Sequence, residues 1–318
     1  MKARVSIIGA GNVGATTAHL VVQSGLADVV LFDIAEGVPQ GKALDLAQAS
    51  SLWNVSVLCT GTNSYADTAG SDIIVVTAGL PRKPGMSRDD LLFANADVMR
   101  QVAEGTSALS DNCIYIVVTN PMDVMTQLLQ QLSGFAPNKV IGMGGVLDSA
   151  RFRTFIAMDL GISPEDVETV VLGGHGDLMV PMPGFTTVKG ISIDKLIDKD
   201  RIAGLIDRTK NGGAEIVSLL RSGSAYYAPA ASVFEMVRAI LLDEKRILPC
   251  SALLNGEYGV NNTYVGVPVV LGGRGVEKII ELELNESEAA GFRKSAGSVS
   301  EMADKALARY DGGQNGKQ

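Results

Sequence analysis

The sequence predicts an α/β fold in which a doubly wound parallel sheet is followed by a mixed α+β domain. Short runs rich in Val and Ile alternate with stretches of helical spacing through the first half, which is typical of strands buried between two layers of helices. The alternation ends near Asp148, where longer helical runs and two extended apolar runs follow. A chain of 318 residues is long enough for two domains of ordinary size.

The first half contains six runs that resemble buried strands, in the order ARVSIIG, DVVLFD, NVSVL, SDIIVVTAG, NCIYIVVTN and NKVIGMG. The helices expected between them are GATTAHLVVQSG, GKALDLAQASSL, DDLLFANADVMRQVAEGTSAL and PMDVMTQLLQQLSG. Because neighbouring parallel strands are joined by crossovers of this kind, we assign residues 1–145 to the first domain.

The second half is expected to form the mixed α+β domain over residues 146–310. Helices are predicted in ARFRTFIAMDLG, around GGAEIVSLLRS and across APAASVFEMVRAILLD. Two strand-like runs with a hairpin-like connection follow, RILPCSALLNGEYG and TYVGVPVVLGGRGVEKIIEL, and then a helix over NESEAAGFRKSAGSVSEMADKALARY. Residues 311–318 are expected to be a flexible tail.

Composition and charge exclude several classes of function. With 35 acidic against 27 basic side chains the formal net charge is −8, so there is no overall positive field to hold nucleic acid or an anionic membrane. No apolar run reaches the roughly 18 residues needed to cross a bilayer. Cys59, Cys113 and Cys250 form no CxxC pair, which argues against a disulfide framework and a thiolate metal site and favours the cytoplasm.

The segment GAGNVG, which holds Gly9, Gly11 and Gly14, lies between a predicted strand and a predicted helix. The pattern alone is weak evidence, but at this position the glycines allow a tight turn and let a pyrophosphate approach a helix N-terminus. Asp33 ends the next strand-like run, where a carboxylate can accept both ribose hydroxyl protons in hydrogen bonds and repel a 2′-phosphate. The sequence therefore predicts a Rossmann dinucleotide site that prefers NAD to NADP; a purely structural turn would leave Asp33 unexplained.

The segment LPRKPGMSR carries three cations, Arg82, Lys83 and Arg88, directly after a predicted strand. Charged runs are more often solvated loops, but α/β sheets bind their ligands at the carboxyl ends of the strands. Ser87 and Asp90 have the spacing of a capping box, which would place Arg88 at a helix entrance, where its charge opposes the helix dipole. The segment is therefore a candidate site for an anionic ligand.

Four further polar residues are candidates for chemistry. Asp148 and Arg151 share a face if their segment is helical, although such an ion pair is often a surface feature of little energetic weight. His175 lies among glycines in GGHG, where the backbone can bend sharply, whereas His19 falls in the first predicted helix and is expected to be packed or partly exposed. A histidine partnered by a carboxylate is suited to proton transfer near neutral pH. Asn120 follows another predicted strand and adds a polar group at the same edge.

Taken together and in this order, these residues resemble the lactate and malate dehydrogenase superfamily from residue 1 to about 310. The resemblance implies a Rossmann NAD domain, a catalytic domain and a homodimer or homotetramer. It implies that Arg151 binds the substrate carboxylate, that His175 exchanges the proton of the C2 oxygen, and that Asp148 holds His175. It further implies that Arg88 polarises the carbonyl group and that Asn120 lines the substrate and nicotinamide. No metal is implied, and the implied cofactor contacts are Gly9, Gly11, Asn12, Gly14, Asp33, Thr77, Ala78, Gly79, Asn95 and Asn120.

Arg82 stands where lactate enzymes of this superfamily carry Gln and malate enzymes carry Arg. Because a second substrate carboxylate needs a positive partner once water is excluded, the resemblance implies the NAD-dependent interconversion of (S)-malate and oxaloacetate, a step of the tricarboxylic acid cycle. Within the same class, the alternative is a lactate or other 2-hydroxy acid dehydrogenase. Outside it, the alternatives are a dinucleotide-sensing protein without catalysis and an NAD- and metal-dependent glycosidase on a similar fold.

Overall fold

The computed structural model describes residues 2–81 and 85–311 and has one large sheet at its centre. The parallel strands of this sheet are β1 (Ala3–Ile8), β2 (Ala27–Phe32), β3 (Cys59–Thr62), β4 (Ile73–Val76), β5 (Ile114–Val117) and β6 (Val140–Gly142). They lie side by side in the order β3-β2-β1-β4-β5-β6. This order confirms the predicted doubly wound sheet, and β4 and β5 are buried along their whole length because helices cover both faces.

Helices connect these strands at the positions that the helical spacing predicts. They are α1 (Asn12–Ser24), α2 (Val38–Leu52), α3 (Arg88–Thr106) and α4 (Met122–Ser133). Gly25 caps the C-terminus of α1 and Gly134 that of α4, both in the left-handed conformation that glycine adopts without steric cost. Helix α3 begins with the predicted capping box, in which Ser87 and Asp90 accept hydrogen bonds from each other's main-chain N–H groups.

The strand predicted at NVSVL is wrong. These residues form irregular backbone, and β3 begins immediately after them, at Cys59. Pairing with β2 determines where the strand lies, from Val29 opposite Cys59 to Phe32 opposite Thr62. The segment also packs closely under α2, since a Cβ atom added at Gly61 would lie 2.1 Å from a main-chain oxygen of that helix. Strand register and packing therefore outweigh the apolar run.

The second half is the predicted mixture of helices and mainly antiparallel strands. Its helices are α5 (Gly145–Leu160), α6 (Lys199–Leu220), α7 (Tyr227–Leu241) and α8 (Glu286–Asp311). Its strands are β7 (Val167–Glu168), β8 (Val171–Gly173), β9 (Met179–Pro181), β10 (Thr187–Val188), β11 (Ile191–Ser192), β12 (Arg246–Asn255), β13 (Asn261–Gly272) and β14 (Gly275–Ile279).

Three boundaries in this half differ from the predictions. Helix α6 starts well before GGAEIVSLLRS, because the Asp198 side chain caps its N-terminus by accepting the Arg201 N–H at 2.9 Å. The second strand-like run is split by a turn into β13 and β14. Asp311 ends α8, and residues 312–318 of the predicted tail lie outside the described residues.

The central sheet continues from the first half of the chain into the second. Strand β12 pairs antiparallel with β6, through Ser251 and Gly142, and β13, β8 and β9 follow. One apolar layer lies between the sheet and helices α1 and α7, and another lies beneath α3, α4 and α8. A third core lies under α5 and α6 against the small sheet β11-β10-β7. Among the helices of residues 2–81 and 85–311, none is long and apolar enough to span a membrane.

Candidate active site

The glycine-rich turn after β1 is closely packed on one side and open on the other. A Cβ atom added at Gly9 would lie 2.6 Å from the Ala78 nitrogen, and one at Gly14 would lie 1.9 Å from the Gly9 oxygen. Gly11, the N-cap of α1, has no heavy atom of the described chain within 4 Å of such a Cβ, apart from its chain neighbours. No described side chain caps this helix end, so its N–H groups, beginning near Asn12, can bind an anion. The turn therefore fits a dinucleotide pyrophosphate.

Asp33 lies at the carboxyl end of β2 and is held against the glycine-rich turn. Its Oδ2 accepts a hydrogen bond from the Ala10 N–H at 2.6 Å, and its Oδ1 accepts the Ala35 N–H at 3.0 Å. Asn63 donates to the Asp33 main-chain oxygen at 2.6 Å, and Lys42 donates to the Ala10 oxygen at 2.6 Å. Neither Asn63 nor Lys42 is among the predicted site residues. These hydrogen bonds hold the Asp33 carboxylate beside the glycine-rich turn, at the position expected for a ribose contact.

The segment after β4 lies directly beside the same turn. Thr77 Oγ1 donates to the Gly9 oxygen at 3.0 Å. The hydroxyl of Thr119, which follows β5, donates to the Ala78 oxygen at 2.7 Å. A Cβ atom at Gly79 would lie 2.5 Å from the Thr119 methyl group, so only glycine fits there without movement. The structure thus brings the predicted residues Thr77, Ala78 and Gly79 next to the glycine-rich turn.

Asn95 of α3 joins the loops that follow β4 and β5. Its side chain is buried, its Nδ2 donates to the Asn120 oxygen at 2.7 Å and to the Leu80 oxygen at 3.2 Å, and its Oδ1 accepts the Leu80 N–H at 2.7 Å. The Asn95 amide is therefore engaged by main-chain groups, and its direct contact with a cofactor stays a prediction. Asn120 itself is exposed at the carboxyl end of β5.

Asp148, Arg151 and His175 form one connected, largely buried group. Asp148 Oδ2 lies 2.8 Å from His175 Nδ1, and Asp148 Oδ1 lies 3.2 Å from Arg151 Nη1. The Asp148 side chain is 1% exposed, that of His175 12% and that of Arg151 14%. Burial by itself lowers the pKa of His175, but the charge and hydrogen bond of Asp148 outweigh burial and raise that pKa overall. The imidazole is therefore prepared to carry a proton near neutral pH.

Two residues that the sequence reasoning missed hold the loop of His175. The main-chain N–H of His175 donates to Asp123 Oδ2 at 2.8 Å, and the preceding N–H, of Gly174, donates to Ser295 Oγ at 2.8 Å. The Ser295 hydroxyl also donates to the Leu178 oxygen at 2.7 Å. Asp123 reads in the sequence as an ordinary acid in a helix's first turn, and Ser295 as a serine within a helix, so neither carried a usable signal.

Of the predicted cations, Arg88 contacts the loop that follows His175. Arg88 is the first residue of α3, and its Nη2 lies 3.2 Å from Asp177 Oδ2, two residues after His175. Both side chains are mostly exposed, 78% and 80% respectively. Arg82 and its neighbour Lys83 lie outside the described residues. The candidate cofactor surface and the candidate proton-transfer group thus lie at the same carboxyl edge of the sheet.

His19 packs its ring edge-on against Trp53, as its helical position predicts.

Comparison with protein-family models matches both halves of the chain. The lactate/malate dehydrogenase NAD binding domain matches residues 3–142, and the lactate/malate dehydrogenase alpha/beta C-terminal domain matches residues 145–309. The chain belongs to the lactate/malate dehydrogenase family. Its cofactor is NAD, and the glycine-rich turn and Asp33 lie in the half that matches the NAD-binding model.

Individual members of the lactate/malate dehydrogenase family resemble the chain over nearly its whole length. A malate dehydrogenase of Roseiflexus sp. (strain RS-1) is 57% identical over 300 residues, which cover 94% of this chain and 97% of the relative. The structure of Salinibacter ruber malate dehydrogenase is 48% identical, with a TM-score of 0.92 and coverage of 99% and 100%.

A lactate dehydrogenase has almost the same backbone. The enzyme from Cryptosporidium parvum, complexed with lactic acid and the cofactor NAD, is 42% identical, with a TM-score of 0.93 and coverage of 96% of this chain and 98% of that one. Backbone similarity is therefore equally high to malate and to lactate members of the family. Backbone similarity alone therefore does not distinguish malate from lactate as the substrate.

Proposed function

We propose that the chain is an NAD-dependent malate dehydrogenase, which interconverts (S)-malate and oxaloacetate. The observation that carries the proposal is the buried group of Asp148, Arg151 and His175, which offers a proton-transfer group, its carboxylate partner and a cation for a substrate carboxylate. Seven malate dehydrogenases that are 54–57% identical over nearly the full length support malate as the substrate.

The residues present fit NAD as the cofactor. The open N–H groups at the start of α1 suit the pyrophosphate, and the half-buried Asp33 carboxylate suits the adenosine ribose and disfavours a 2′-phosphate. Bound NAD supplies a nicotinamide ring that accepts a hydride or returns it. We propose that the residues holding it are Gly9, Gly11, Asn12, Gly14, Asp33, Thr77, Ala78, Gly79, Asn95 and Asn120.

The proton that accompanies the hydride is handled by His175. Because Asp148 engages Nδ1, Nε2 is the ring nitrogen that faces proton exchange. During oxidation of malate, Nε2 would accept the C2 hydroxyl proton, and the C2 hydrogen would pass to bound NAD together with the electron pair of its C–H bond. During reduction, the imidazolium returns that proton to the carbonyl oxygen. Asp148 stabilises the imidazolium, and Arg88 offsets the negative charge that develops on the substrate oxygen.

Arg151 is proposed to bind the carboxylate next to the reacting carbon, with two parallel hydrogen bonds from its guanidinium group. Helix α6 approaches this side chain through two consecutive glycines, of which Gly212 is the more closely packed. A Cβ atom at Gly212 would lie 3.3 Å from Arg151 Cδ, and one at Gly213 would lie 3.6 Å from Nη2. The Asp148 contact fixes the guanidinium from one side, so the substrate meets a cation that is already oriented.

Arg82 is proposed to select the dicarboxylic substrate. This proposal rests on the sequence, in which a cation stands between β4 and α3. A methyl group in place of the second carboxylate would leave the guanidinium buried and unpaired, at a cost of about 2–5 kcal/mol. A lactate dehydrogenase is the second candidate, because the lactate-bound Cryptosporidium parvum enzyme has nearly the same backbone.

The decisive assay follows NADH absorbance with oxaloacetate and with pyruvate, and repeats both with NADPH. We expect oxaloacetate and NADH to be strongly preferred, and the Arg82→Gln variant to move the preference towards pyruvate. A matched Lys83→Gln variant, which removes a neighbouring cation, should leave the preference unchanged. An unchanged oxaloacetate-to-pyruvate ratio in Arg82→Gln would place the discrimination elsewhere, and NADH binding without turnover would indicate a sensing protein.

We further propose a cytoplasmic homodimer or homotetramer that acts in the tricarboxylic acid cycle. The free cysteines Cys59, Cys113 and Cys250 support a reducing compartment. Exposed apolar side chains on α2, Leu44 at 62% and Leu52 at 82%, support burial of that helix against another subunit. Light scattering from a purified sample that gives the mass of one chain would contradict the oligomer. We propose a domain boundary between residues 145 and 146, directly after the first residue of α5.

A further inference from the structure

One buried carboxyl group ties the loop of His175 to the cofactor-binding half of the chain. Asp123 lies in the first turn of α4, is 4% exposed, and its Oδ2 accepts the main-chain N–H of His175 at 2.8 Å. Asp123 belongs to the segment that matches the NAD-binding model, whereas His175 belongs to the segment that matches the C-terminal model. The hydrogen bond therefore joins the two halves at the reacting group.

The surroundings of Asp123 oppose a negative charge on its carboxyl group. Among the described residues, no lysine or arginine forms an ion pair with it, and the charged or titratable groups that act on it are His175 and Asp148. Burial raises the pKa of Asp123, and this effect outweighs the lowering by nearby Ser251 and by the His175 N–H. A neutral carboxyl group can accept the His175 N–H with one oxygen and donate its own proton from the other.

A second observation concerns Asp123 Oδ1 and the hydroxyl oxygen of Ser251. Both atoms are fully buried, and within residues 2–81 and 85–311 neither has a hydrogen-bond partner of normal geometry. Ser251 lies on β12, opposite Gly142 of β6, so it approaches Asp123 from the second half of the chain. A hydrogen bond between Asp123 Oδ1 and Ser251 Oγ, with either atom as the donor, would satisfy both buried atoms.

We propose that Asp123 is a positioning residue for the reaction, and that it holds His175 against the cofactor-binding domain through its acceptor oxygen rather than through a charge. This inference rests on the proposed function. Proton and hydride leave adjacent atoms of one substrate, so the imidazole must be fixed relative to the nicotinamide, and a displacement of about 1 Å can reduce the rate about 100-fold. Asn120, the predicted nicotinamide contact, lies three residues before Asp123. One short segment would therefore position the nicotinamide and the His175 imidazole relative to each other.

Two substitutions separate the acceptor from the charge. Asp123→Asn keeps an acceptor oxygen for the His175 N–H and offers an amide proton to Ser251, whereas Asp123→Leu has the same number of side-chain heavy atoms and no acceptor. We expect the kcat of Asp123→Asn to stay within about threefold of the original chain. We expect the kcat of Asp123→Leu to fall roughly 10- to 100-fold, with NADH affinity and the KM for oxaloacetate changed less than about threefold.

The control is Asp28, another carboxylate that accepts a main-chain N–H, that of Leu58 at 2.9 Å, but at the opposite end of β2 from Asp33. The variants Asp28→Asn and Asp28→Leu should leave kcat unchanged. A primary deuterium isotope effect measured with labelled NADH should increase in Asp123→Leu, because the chemical step then limits the rate, and should not change in either Asp28 variant.

The pH profile provides a test that does not depend on the folding of Asp123→Leu. If Asp123 is neutral, Asp123→Asn removes no charge from His175, so the alkaline limb of oxaloacetate reduction stays at the same pH. Movement of that limb to lower pH, or a kcat as low as that of Asp123→Leu, would show that the charge is needed and overturn the inference. A folded Asp123→Leu variant with normal kcat would overturn it too. A chain that does not reduce oxaloacetate with NADH at all would instead contradict the proposed function.

Discussion

The cofactor side and the proton-transfer side of the site are built in different ways. On the cofactor side the main chain forms the surface, and Gly9 and Gly14 leave no space for another atom next to the backbone. On the proton-transfer side, Asp148, Arg151 and His175 form the surface with side chains joined by hydrogen bonds. A surface made by the main chain is damaged by adding atoms, whereas one made by side chains is damaged by removing them. Substitutions can test this difference directly.

The largest effect is expected at His175. In His175→Asn the proton acceptor and donor is lost, so turnover with oxaloacetate should fall about 10² to 10⁴-fold. Titration of NADH by fluorescence should give a nearly unchanged affinity, because the glycine-rich turn is untouched. Normal turnover in this variant would reject the assignment of the proton-transfer group and with it the contrast between the two sides.

A pair of glycine substitutions tests the cofactor side. Gly14→Ala places a Cβ atom 1.9 Å from the Gly9 oxygen, so α1 must move, and we expect a loss of about 1–3 kcal/mol in the free energy of unfolding. Gly11→Ala meets open space, and its stability should be unchanged while NADH affinity falls about tenfold, about 1.4 kcal/mol. Denaturant melts and NADH titrations of both variants check this. Equal stability losses would mean that the turn is not constrained as described.

The pH dependence tests the link between Asp148 and His175. Because Asp148 raises the pKa of His175, the protonated imidazole that reduces oxaloacetate persists to higher pH, and reduction should decline as pH rises through that pKa. In Asp148→Asn the pKa of His175 should fall, because burial then acts without the opposing carboxylate, so the alkaline limb of reduction moves to lower pH. Malate oxidation, which needs neutral imidazole, should then extend to lower pH. If the pH–rate profiles of Asp148→Asn do not move, a group other than His175 controls the pH dependence of the reaction.

The smallest effect is expected for the exposed ion pair of Arg88 and Asp177. Both side chains are mostly in solvent, where such pairs contribute little. The Asp177→Asn variant should keep its melting temperature, and its kcat/KM should change at most about fivefold. A much larger change would mean that Asp177 is a functional partner of Arg88 and that the proton-transfer side extends to the protein surface.

The difference between the cofactor side and the proton-transfer side also explains which elements of the structure could be predicted from the sequence. Local signals predicted the parallel strands, the capping box at Ser87 and the glycine-rich turn, since each depends on residues close together in the chain. The strand predicted at NVSVL was wrong because pairing with β2 and packing under α2, both long-range contacts, determine where β3 begins.

The proton-transfer side could be assembled from the sequence only through its resemblance to a family. Asp148 and His175 are 27 positions apart, and neither residue alone predicts the contact between them. Asp123 and Ser295 were missed because their partners are main-chain N–H groups 52 and 121 positions away, and main-chain groups carry no residue-specific signal. Gly212 was a visible signal, since glycine is costly within a helix, but its reason becomes clear only beside Arg151.

The pairing of β6 with β12 has a consequence for how such a protein can be divided or recombined. A fragment that stopped after the cofactor half would leave one side of β6 uncovered, with main-chain donors and acceptors open to pairing with any other extended chain. This fragment could be fused into another protein only if that protein provided a strand to pair with the exposed edge of β6.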